Sequence, residues 1–276
     1  MKLKQEHFIT IAIIFLVIFS IVVGKHIYTN IDTLKEGFES LQKIHTHIEQ
    51  LDVDAVIYIN LESRPDRNEE LLRELRKIKM DMSKVHRLQA VKRKWGALGA
   101  TLSHISCLKF ITERGWKRTL ILEDDAGFEV KNSMRWNNGV NDINKKIRTN
   151  EYDVIFLGGF VRDPTGPTKT EYPTLYKTKN TSCGHAYIVR QEYAPKILDC
   201  MENAVQMIMK NPPNYQQYHL DNAWTELMVD DRWFVSIPTL AYQRESYSDI
   251  ENKVANTDEP LRGQVVRAWK EGTILQ

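Results

Sequence analysis

The stretch that decides the fold is Thr119-Leu-Ile-Leu-Glu-Asp-Asp-Ala-Gly-Phe128. Its apolar run, residues 120–122, is short and has a glycine on either side, a pattern that predicts a buried strand. Three acids, Glu123, Asp124 and Asp125, follow at the C-terminal end of that strand, which is the edge where open α/β sheets bind ligands. Adjacent carboxylates repel one another unless a cation lies between them. The stretch therefore predicts either a Mg²⁺ or Mn²⁺ site with phosphate oxygens opposite, or a solvated acidic turn.

The rest of the chain alternates apolar runs with amphipathic segments. Further strands are predicted at residues 54–61, 85–91, 152–159, 183–190 and 234–237, with helices between most of them. This alternation predicts an α/β domain with a mainly parallel central sheet. Asp66, followed by Glu69, predicts a capping-box start for the first helix. The segment 160–182 contains three prolines and predicts an active-site flap or acceptor loop.

The N-terminal region predicts a membrane anchor. Residues 8–24 carry no charge and cover roughly 25 Å as a helix, which is enough for a thin bilayer. An uncleaved anchor is favoured over a cleaved signal peptide, because no small-residue cleavage site follows the apolar segment. Lysines before the segment favour a cytoplasmic N-terminus and hence a single-pass type II protein, with the C-terminal domain on the lumenal or outer side.

The predicted organisation has five parts. Residues 1–7 form a cytoplasmic tail, 8–24 the anchor, 25–53 a helical stem, 54–250 the catalytic-type domain and 251–276 a polar tail. The stem has a short heptad-like seam of apolar residues, which predicts either a homodimeric coiled coil or a monomeric amphipathic helix packed on the domain.

Composition excludes several classes of function. The chain has 276 residues, 42% of them hydrophobic, and a formal net charge of +2, which predicts one sizeable core and no nucleic-acid partner. Cys107, Cys183 and Cys200 have no CxxC spacing and are expected to be buried thiols. The sequence contains no G-x-S-x-G elbow and no P-loop lysine motif, so serine hydrolase and P-loop NTPase activities lack support.

His219 and Asp221 predict a second edge of the acidic site. H-x-D also begins the iron site of 2-oxoglutarate oxygenases, but that site needs a later histidine, and His219 is the last histidine of this chain. His219 or Asp221 could instead complete a metal shell, while a carboxylate takes a proton from an acceptor hydroxyl. A metal-dependent sugar-nucleotide transferase fits this set, and a phosphoesterase would need more ligands.

Two further groups of residues flank the predicted site. Arg64 and Arg67 lie at the turn from the first strand to the first helix, where helix N–H groups and guanidinium donors can meet the anionic oxygens of a nucleotide. The alternative is two solvated arginines. Ser103 and His104 lie early in the helix before the acidic strand, and a helical histidine of this kind is more often structural than catalytic.

Five stretches in this order resemble glycosyltransferase family 25, which includes lipooligosaccharide and procollagen galactosyltransferases. They are Val56-Ile-Tyr-Ile-Asn-Leu61 with Arg64 and Arg67, Gly99-Ala-Thr-Leu-Ser-His104, Ile121-Leu-Glu-Asp-Asp125, Gly184-His-Ala-Tyr-Ile-Val-Arg190, and Gln243 with Ser248-Asp-Ile250. The resemblance implies a GT-A-type domain that uses a UDP-sugar and Mn²⁺ (or Mg²⁺) and inverts the anomeric carbon. Ala100 and Leu98 depart from the family pattern, which commonly has a cysteine and an acid there.

The resemblance also implies roles for individual residues. Metal ligands are expected to come from Asp125, Glu123 and His219. The catalytic base is expected to be Asp221 or Glu226, with Asp249 as a further candidate. The donor side is expected to use Asn60, Arg64, Arg67, Glu123 and Asp124, braced by Ser103 and His104. The implied partners are UDP-galactose or UDP-glucose and a hydroxyl of a glycan or protein. The anchor fits a Golgi- or ER-type or virus-encoded enzyme, and the alternative is a catalytically silent binding module on the same fold.

Overall fold

The computed structural model describes residues 47–163, 165–212, 217–248 and 253–255, together with Lys25 and Lys35. The predicted anchor, nearly all of the predicted stem up to residue 46 and most of the predicted tail lie outside the described residues, as does Asp249. Within the described part of the chain, no helix is both long enough and apolar enough to cross a membrane. The chain divides into two compact units, Met1–His47 and Ile48–Gln276.

The second unit is built on an eight-stranded sheet. The described strands are β1 Ala55–Asn60, β2 Val85–Gln89, β3 Arg118–Glu123, β4 Ala126–Phe128, β5 Val154–Phe156, β6 Phe160–Val161, β7 Thr168–Lys169, β8 Leu175–Lys177, β9 Thr181–Ser182, β10 Ala186–Arg190, β11 Trp233–Ser236, β12 Ala241–Gln243, β13 Ser246–Ser248 and β14 Lys253–Ala255. The large sheet has the order β2-β1-β3-β10-β5-β11-β8-β7. β10 is antiparallel to both of its neighbours, and so is β8. The other six strands therefore run in one direction, so the sheet is mixed but mostly parallel in strand direction.

Helices cover both faces of the sheet. They are α1 Pro65–Lys77, α2 Gly96–Arg114, α3 Ser133–Thr149, α4 Ala194–Lys210, α5 Leu220–Ala223 and α6 Thr225–Asp230. Alternate residues of a strand point to opposite faces, and the two hydrophobic clusters divide accordingly. Leu120 and Leu122 pack with α1 and α3, whereas Ile121 packs with α2, α4 and α6. This two-sided burial explains why the central strands are continuous apolar runs.

The start of α1 differs from the capping-box prediction, which is wrong. The N-cap is Arg64, with Pro65 in the first turn and no side-chain cap. Asp66 instead accepts hydrogen bonds from the Arg64 guanidinium, with Nη2 2.8 Å from Oδ2. Pro65 has no N–H to satisfy and its fixed φ suits the first helical position, so the helix begins there.

The segment 160–182 contains four short strands that the sequence does not predict, whereas its role as an active-site flap or acceptor loop stays a prediction. It contributes β7 and β8 to the edge of the large sheet, where β8 pairs with β11, while β6 and β9 pair with each other. These strands are only two or three residues long, too short for a period-2 pattern to be recognised.

Residues 48–53, assigned to the stem by the sequence, belong to the second unit. Leu51 and Val53 are buried in its core. The Trp136 indole donates to the Glu49 carbonyl at 2.9 Å, and the Asn144 side chain bonds the backbone of this segment at both Gln50 and Asp52.

Candidate active site

The acidic residues lie where β3 ends and the chain turns sharply into β4. Glu123 is the last residue of β3, and Asp124 and Asp125 form the turn. Arg244, directly after β12, holds this turn from outside. Its backbone N–H donates to the Asp125 carbonyl at 2.7 Å, and its guanidinium donates to the Asp124 carbonyl at 2.7 Å and the Ala126 carbonyl at 3.3 Å. The sequence did not indicate Arg244, because only the β4–β12 pairing brings it here.

Asp124 is fully committed to partners inside the protein. Asn60 Nδ2 donates to its Oδ2 at 2.7 Å, and Arg67 Nη1 donates to its Oδ1 at 2.7 Å. Asn60 is held in turn, since its Oδ1 accepts from Arg87 Nη2 at 2.7 Å. Asn60 and Arg67, predicted to contact a nucleotide, thus meet at the acidic turn. The Arg64 carbonyl also accepts from Asn60 Nδ2, at 3.0 Å, while the Arg64 guanidinium pairs with Asp66.

Glu123 is held by one contact on each carboxylate oxygen. His104 Nε2 lies 3.3 Å from Oε1, and Gln243 Nε2 donates to Oε2 at 3.4 Å. Burial acts to raise the pKa of Glu123, but the hydrogen bond to His104 and nearby positive charges outweigh it, so the pKa lies below its usual value. Ser103 braces the start of α2: its hydroxyl accepts from Val91 N and donates to the Gly99 carbonyl, both at 2.8 Å.

Asp125 is the acid with the fewest partners. Its Oδ1 is buried and has no hydrogen-bond partner among the described residues. Its Oδ2 lies 3.6 Å from Arg67 Nη1. Burial, together with the negative charges of Glu123 and Asp124, raises the pKa of Asp125 to about 7. Such a carboxylate needs a proton or a cation, and the role of Asp125 as a metal ligand stays a prediction.

Asp221 approaches the same site from α5. Its Oδ1 accepts two backbone hydrogen bonds, from Cys183 N at 3.0 Å and Gly184 N at 3.1 Å. Burial and the negative charge of Glu123 raise the pKa of Asp221. His219 is the N-cap of α5, and its Nδ1 accepts from Asp221 N at 3.3 Å. This imidazole nitrogen is therefore occupied by its own helix.

Glu226, the second candidate base, is not brought to the acidic cluster by any contact described here. It is an exposed residue of α6. Its negative charge helps to raise the pKa of the Cys200 thiol of α4, although burial is the larger cause.

The three cysteines are free thiols, as the sequence predicts. Cys107 and Cys183 are buried, and Cys200 is partly buried.

The side chains provide no complete metal site by themselves. Among the described residues, no group of three or more His, Cys, Asp or Glu side chains could hold a metal ion. The reason is visible in the contacts, since Asp124 and Glu123 are bonded internally. The buried Oδ1 of Asp125 nevertheless suits a cation such as Mg²⁺, which proteins often bind through one or two carboxylates with substrate phosphates and waters as the other ligands. Asp125 thus fits a cation whose other ligands are waters or oxygens of a bound molecule.

A pocket of about 350 Å³ opens at the C-terminal ends of β1 and β2. It is lined by Leu61, Glu62, Ser63, Gln89, Ala90 and Lys92. Ala90 N donates to the Asn60 carbonyl at 3.0 Å, so the pocket wall continues into the residue that holds Asp124. Its volume falls in the lower range of small-molecule sites.

No family model matches this chain. Solved structures that are similar include a mannose-1-phosphate geranyltransferase from Thermus thermophilus, with 10% identity, 66% of this chain and 72% of that chain covered, and a TM-score of 0.42. A glycosyltransferase involved in glycosylation of the major capsid of PBCV-1 has 12% identity, coverage of 66% and 92%, and a TM-score of 0.33. A UDP-glucose pyrophosphorylase complexed with UDP-glucose has 11% identity, coverage of 79% and 81%, and a TM-score of 0.39. These values describe remote similarity.

Proposed function

We propose that this protein is a metal-dependent glycosyltransferase that transfers galactose or glucose from a UDP-sugar to a hydroxyl of a glycan or protein, with inversion. One observation carries the proposal. Asp125 Oδ1 is buried and has no hydrogen-bond partner in the described part of the chain, and the negative charge of Glu123 raises the pKa of both Asp125 and Asp221, so the three acids form one cluster. That cluster lies at the same sheet edge as the pocket beyond β1 and β2.

The pocket at the C-terminal ends of β1 and β2 supports a binding site for the UDP-sugar donor. Ligands of open α/β sheets bind beyond the C-terminal ends of the strands. A nucleoside in the pocket would point its diphosphate past Asn60 toward the acidic turn. Lys92 at the pocket wall supplies a positive charge for phosphate oxygens.

The cation is assigned to Asp125. Asp125 Oδ1 would hold Mn²⁺ or Mg²⁺ together with donor oxygens, and Glu123 would be a second ligand only after releasing His104 or Gln243. A bound divalent ion supplies Lewis-acid stabilisation of the leaving diphosphate. Asp124 has a structural role in this scheme, because its two carboxylate oxygens accept hydrogen bonds from Asn60 and Arg67.

Asp221 is assigned as the general base. A base works best when its pKa approaches the working pH, and burial moves the pKa of Asp221 in that direction. Asp221 would accept the proton of the acceptor hydroxyl as that oxygen attacks the anomeric carbon from the face opposite the diphosphate. Glu226 is less suited, because it is exposed.

Residues 8–24 are assigned as the anchor of a single-pass type II membrane protein, with the stem between the anchor and the domain. The support is the uncharged sequence of the segment. Protease treatment of sealed microsomes tests the orientation: the domain should be protected until detergent is added. Digestion of the domain in sealed microsomes would reverse the assignment.

The enzymatic proposal is tested with the full-length protein in detergent. The protein is incubated with a panel of UDP-sugars, Mn²⁺ and hydroxyl acceptors, and UDP release is measured. We expect release with UDP-galactose or UDP-glucose, loss of release in Asp125→Asn, and no change in Asp199→Asn, which alters an exposed acid of α4.

Two other outcomes are informative. If no donor gives release and calorimetry detects no UDP binding, the enzymatic proposal is wrong. UDP binding without transfer to any acceptor would support the silent binding module. That alternative has one observation in its favour, since Glu123 and Asp124 both have internal partners.

A further inference from the structure

Cys183 has an unusual backbone conformation next to the acidic cluster. Among the described residues, three non-glycine residues have positive φ: Lys79 at 53°, Asn150 at 56° and Cys183 at 88°. Lys79 and Asn150 follow the C-terminal ends of α1 and α3, where left-handed residues commonly end helices. Cys183 lies between β9 and β10 and ends no helix. A strained residue of this kind persists only where the surroundings hold it, often at functional sites.

The left-handed turn directs two successive N–H groups at one acceptor. Cys183 N and Gly184 N both donate to Asp221 Oδ1, at 3.0 and 3.1 Å. Gly184 allows α5 to approach closely, because a Cβ at this position would lie 2.9 Å from Leu220 Cδ2. The carboxylate of Asp221 is therefore fixed by the backbone of the turn.

The Cys183 side chain reaches the opposite part of the cluster. Its Sγ lies 3.2 Å from Gln243 Oε1 and 3.0 Å from His185 Nδ1. Gln243 in turn donates to Glu123 Oε2. A single residue thus contacts Asp221 through its backbone and Glu123 through one intervening side chain.

We infer that Cys183 is a positioning residue whose left-handed backbone holds Asp221 Oδ1 in a two-donor cradle and leaves Oδ2 to meet the acceptor hydroxyl. The catalytic consequence rests on the proposed transferase function, whereas the cradle itself does not. The backbone, rather than the thiol, is the essential part: Asp221 receives its hydrogen bonds from N–H groups, and the thiol adds only the link to Gln243.

The experiment compares substitutions that differ in their tolerance of positive φ. Glycine adopts this conformation without steric cost, whereas a β-branched residue is strongly disfavoured there. We expect Cys183→Val to lower kcat at least tenfold, with KM for the UDP-sugar changed less than threefold. The kcat of Cys183→Gly should be at least fivefold higher than the kcat of Cys183→Val. Asn150→Val, a matched change at an exposed left-handed position away from the site, should leave kcat unchanged.

Two results would overturn the inference. Equal decreases of kcat in Cys183→Gly and Cys183→Val would mean that the thiol, and not the backbone, positions Asp221. An unchanged kcat in Cys183→Val would mean that Cys183 has no positioning role. If Cys183→Val does not fold, Cys183→Ala replaces it and should lose more activity than Cys183→Gly.

A double-mutant cycle in urea unfolding separates the cradle from the enzymatic function. The difference between the urea midpoints of Cys183→Gly and Cys183→Ala should shrink when Asp221 is changed to Ala, because the left-handed turn then has no carboxylate to hold. If the wild-type protein transfers no sugar but the cycle shows this coupling, the proposed function fails and the cradle stands. Additive midpoints would refute the cradle whatever the activity.

Discussion

Replacing Asp125 with Asn should stabilise the protein while abolishing its activity. The ionised Asp125 carboxylate is unfavourable in the metal-free fold, since burial and the charges of Glu123 and Asp124 raise its pKa from the usual 3.8 to about 7. At 1.36 kcal/mol per pKa unit, that difference corresponds to about 4 kcal/mol of unfolding free energy at pH 8. Active sites commonly retain destabilising groups of this kind, because function requires them.

The sign of the pH dependence follows from linkage. A carboxyl whose pKa is raised in the folded state binds more protons there than in the unfolded chain between pH 3.8 and about 7. Stability from this group is therefore present below pH 3.8 and is lost as the pH rises through about 7. Asp125→Asn removes the titrating group, so the gain should be larger at pH 8 than at pH 5, by roughly 2–3 kcal/mol.

The assay is urea unfolding of the metal-free protein in EDTA at pH 5 and pH 8, followed by the fluorescence of the buried tryptophans. Asp124→Asn is the matched control, since it changes the adjacent acid by the same atoms. Burial raises the pKa of Asp124 as well, but Asp124 accepts hydrogen bonds from Asn60 and Arg67. An amide at this position would leave the buried Arg67 guanidinium without its ion-pair partner, so this control should lower the unfolding free energy, in contrast to Asp125→Asn. Addition of Mn²⁺ and UDP should stabilise the wild-type protein but not Asp125→Asn.

The reasoning is refuted if Asp125→Asn is less stable than the wild-type protein at pH 8 in EDTA. The same holds if the stability difference does not grow between pH 5 and pH 8. Either result would mean that Asp125 has a favourable partner in the folded state that its unpartnered Oδ1 does not indicate.

Two further predictions concern the framework of the sheet. Asp153→Asn should lower the unfolding free energy by about 3 kcal/mol, because Asp153 Oδ1 accepts from both Arg190 Nη2 and Arg232 Nη2 at 2.8 Å. Burial acts to raise the pKa of Asp153, but these arginines outweigh it and lower the pKa below 3.8. This stabilisation is thus lost as the pH falls below 3.8. The unfolding free energy should therefore fall less steeply with decreasing pH in Asp153→Asn than in the wild-type protein, and equal slopes would contradict this. Gly158→Ala should cost about 2 kcal/mol or more in the unfolding free energy measured with urea, since its Cβ would lie 2.1 Å from the Ala241 carbonyl oxygen, and an unchanged urea midpoint would contradict it.

Local sequence patterns were sufficient for the framework of the domain. The apolar runs predicted β1, β3 and β11 to within two residues at each end, because strands buried on both faces are continuously apolar. α2 ends at Gly115, which has the left-handed conformation of a helix C-cap. Most of the strands of two or three residues were missed, since so few residues carry no periodicity; β5 was found because it lies in a longer apolar run.

The sequence by itself also located the acidic cluster at the end of β3, because three consecutive acids after a buried run are evident without any partner. Only the tertiary structure decided what each acid does. Asp124 and Asp125 are equivalent in local sequence, but the partners of Asp124 lie 57 and 64 residues away in the chain, and Gln243 reaches Glu123 from 120 residues away. The left-handed turn at Cys183 likewise depends on Asp221, 38 residues further on. Burial and hydrogen bonding set the pKa of a carboxyl, and both come from residues that only the folded chain brings together.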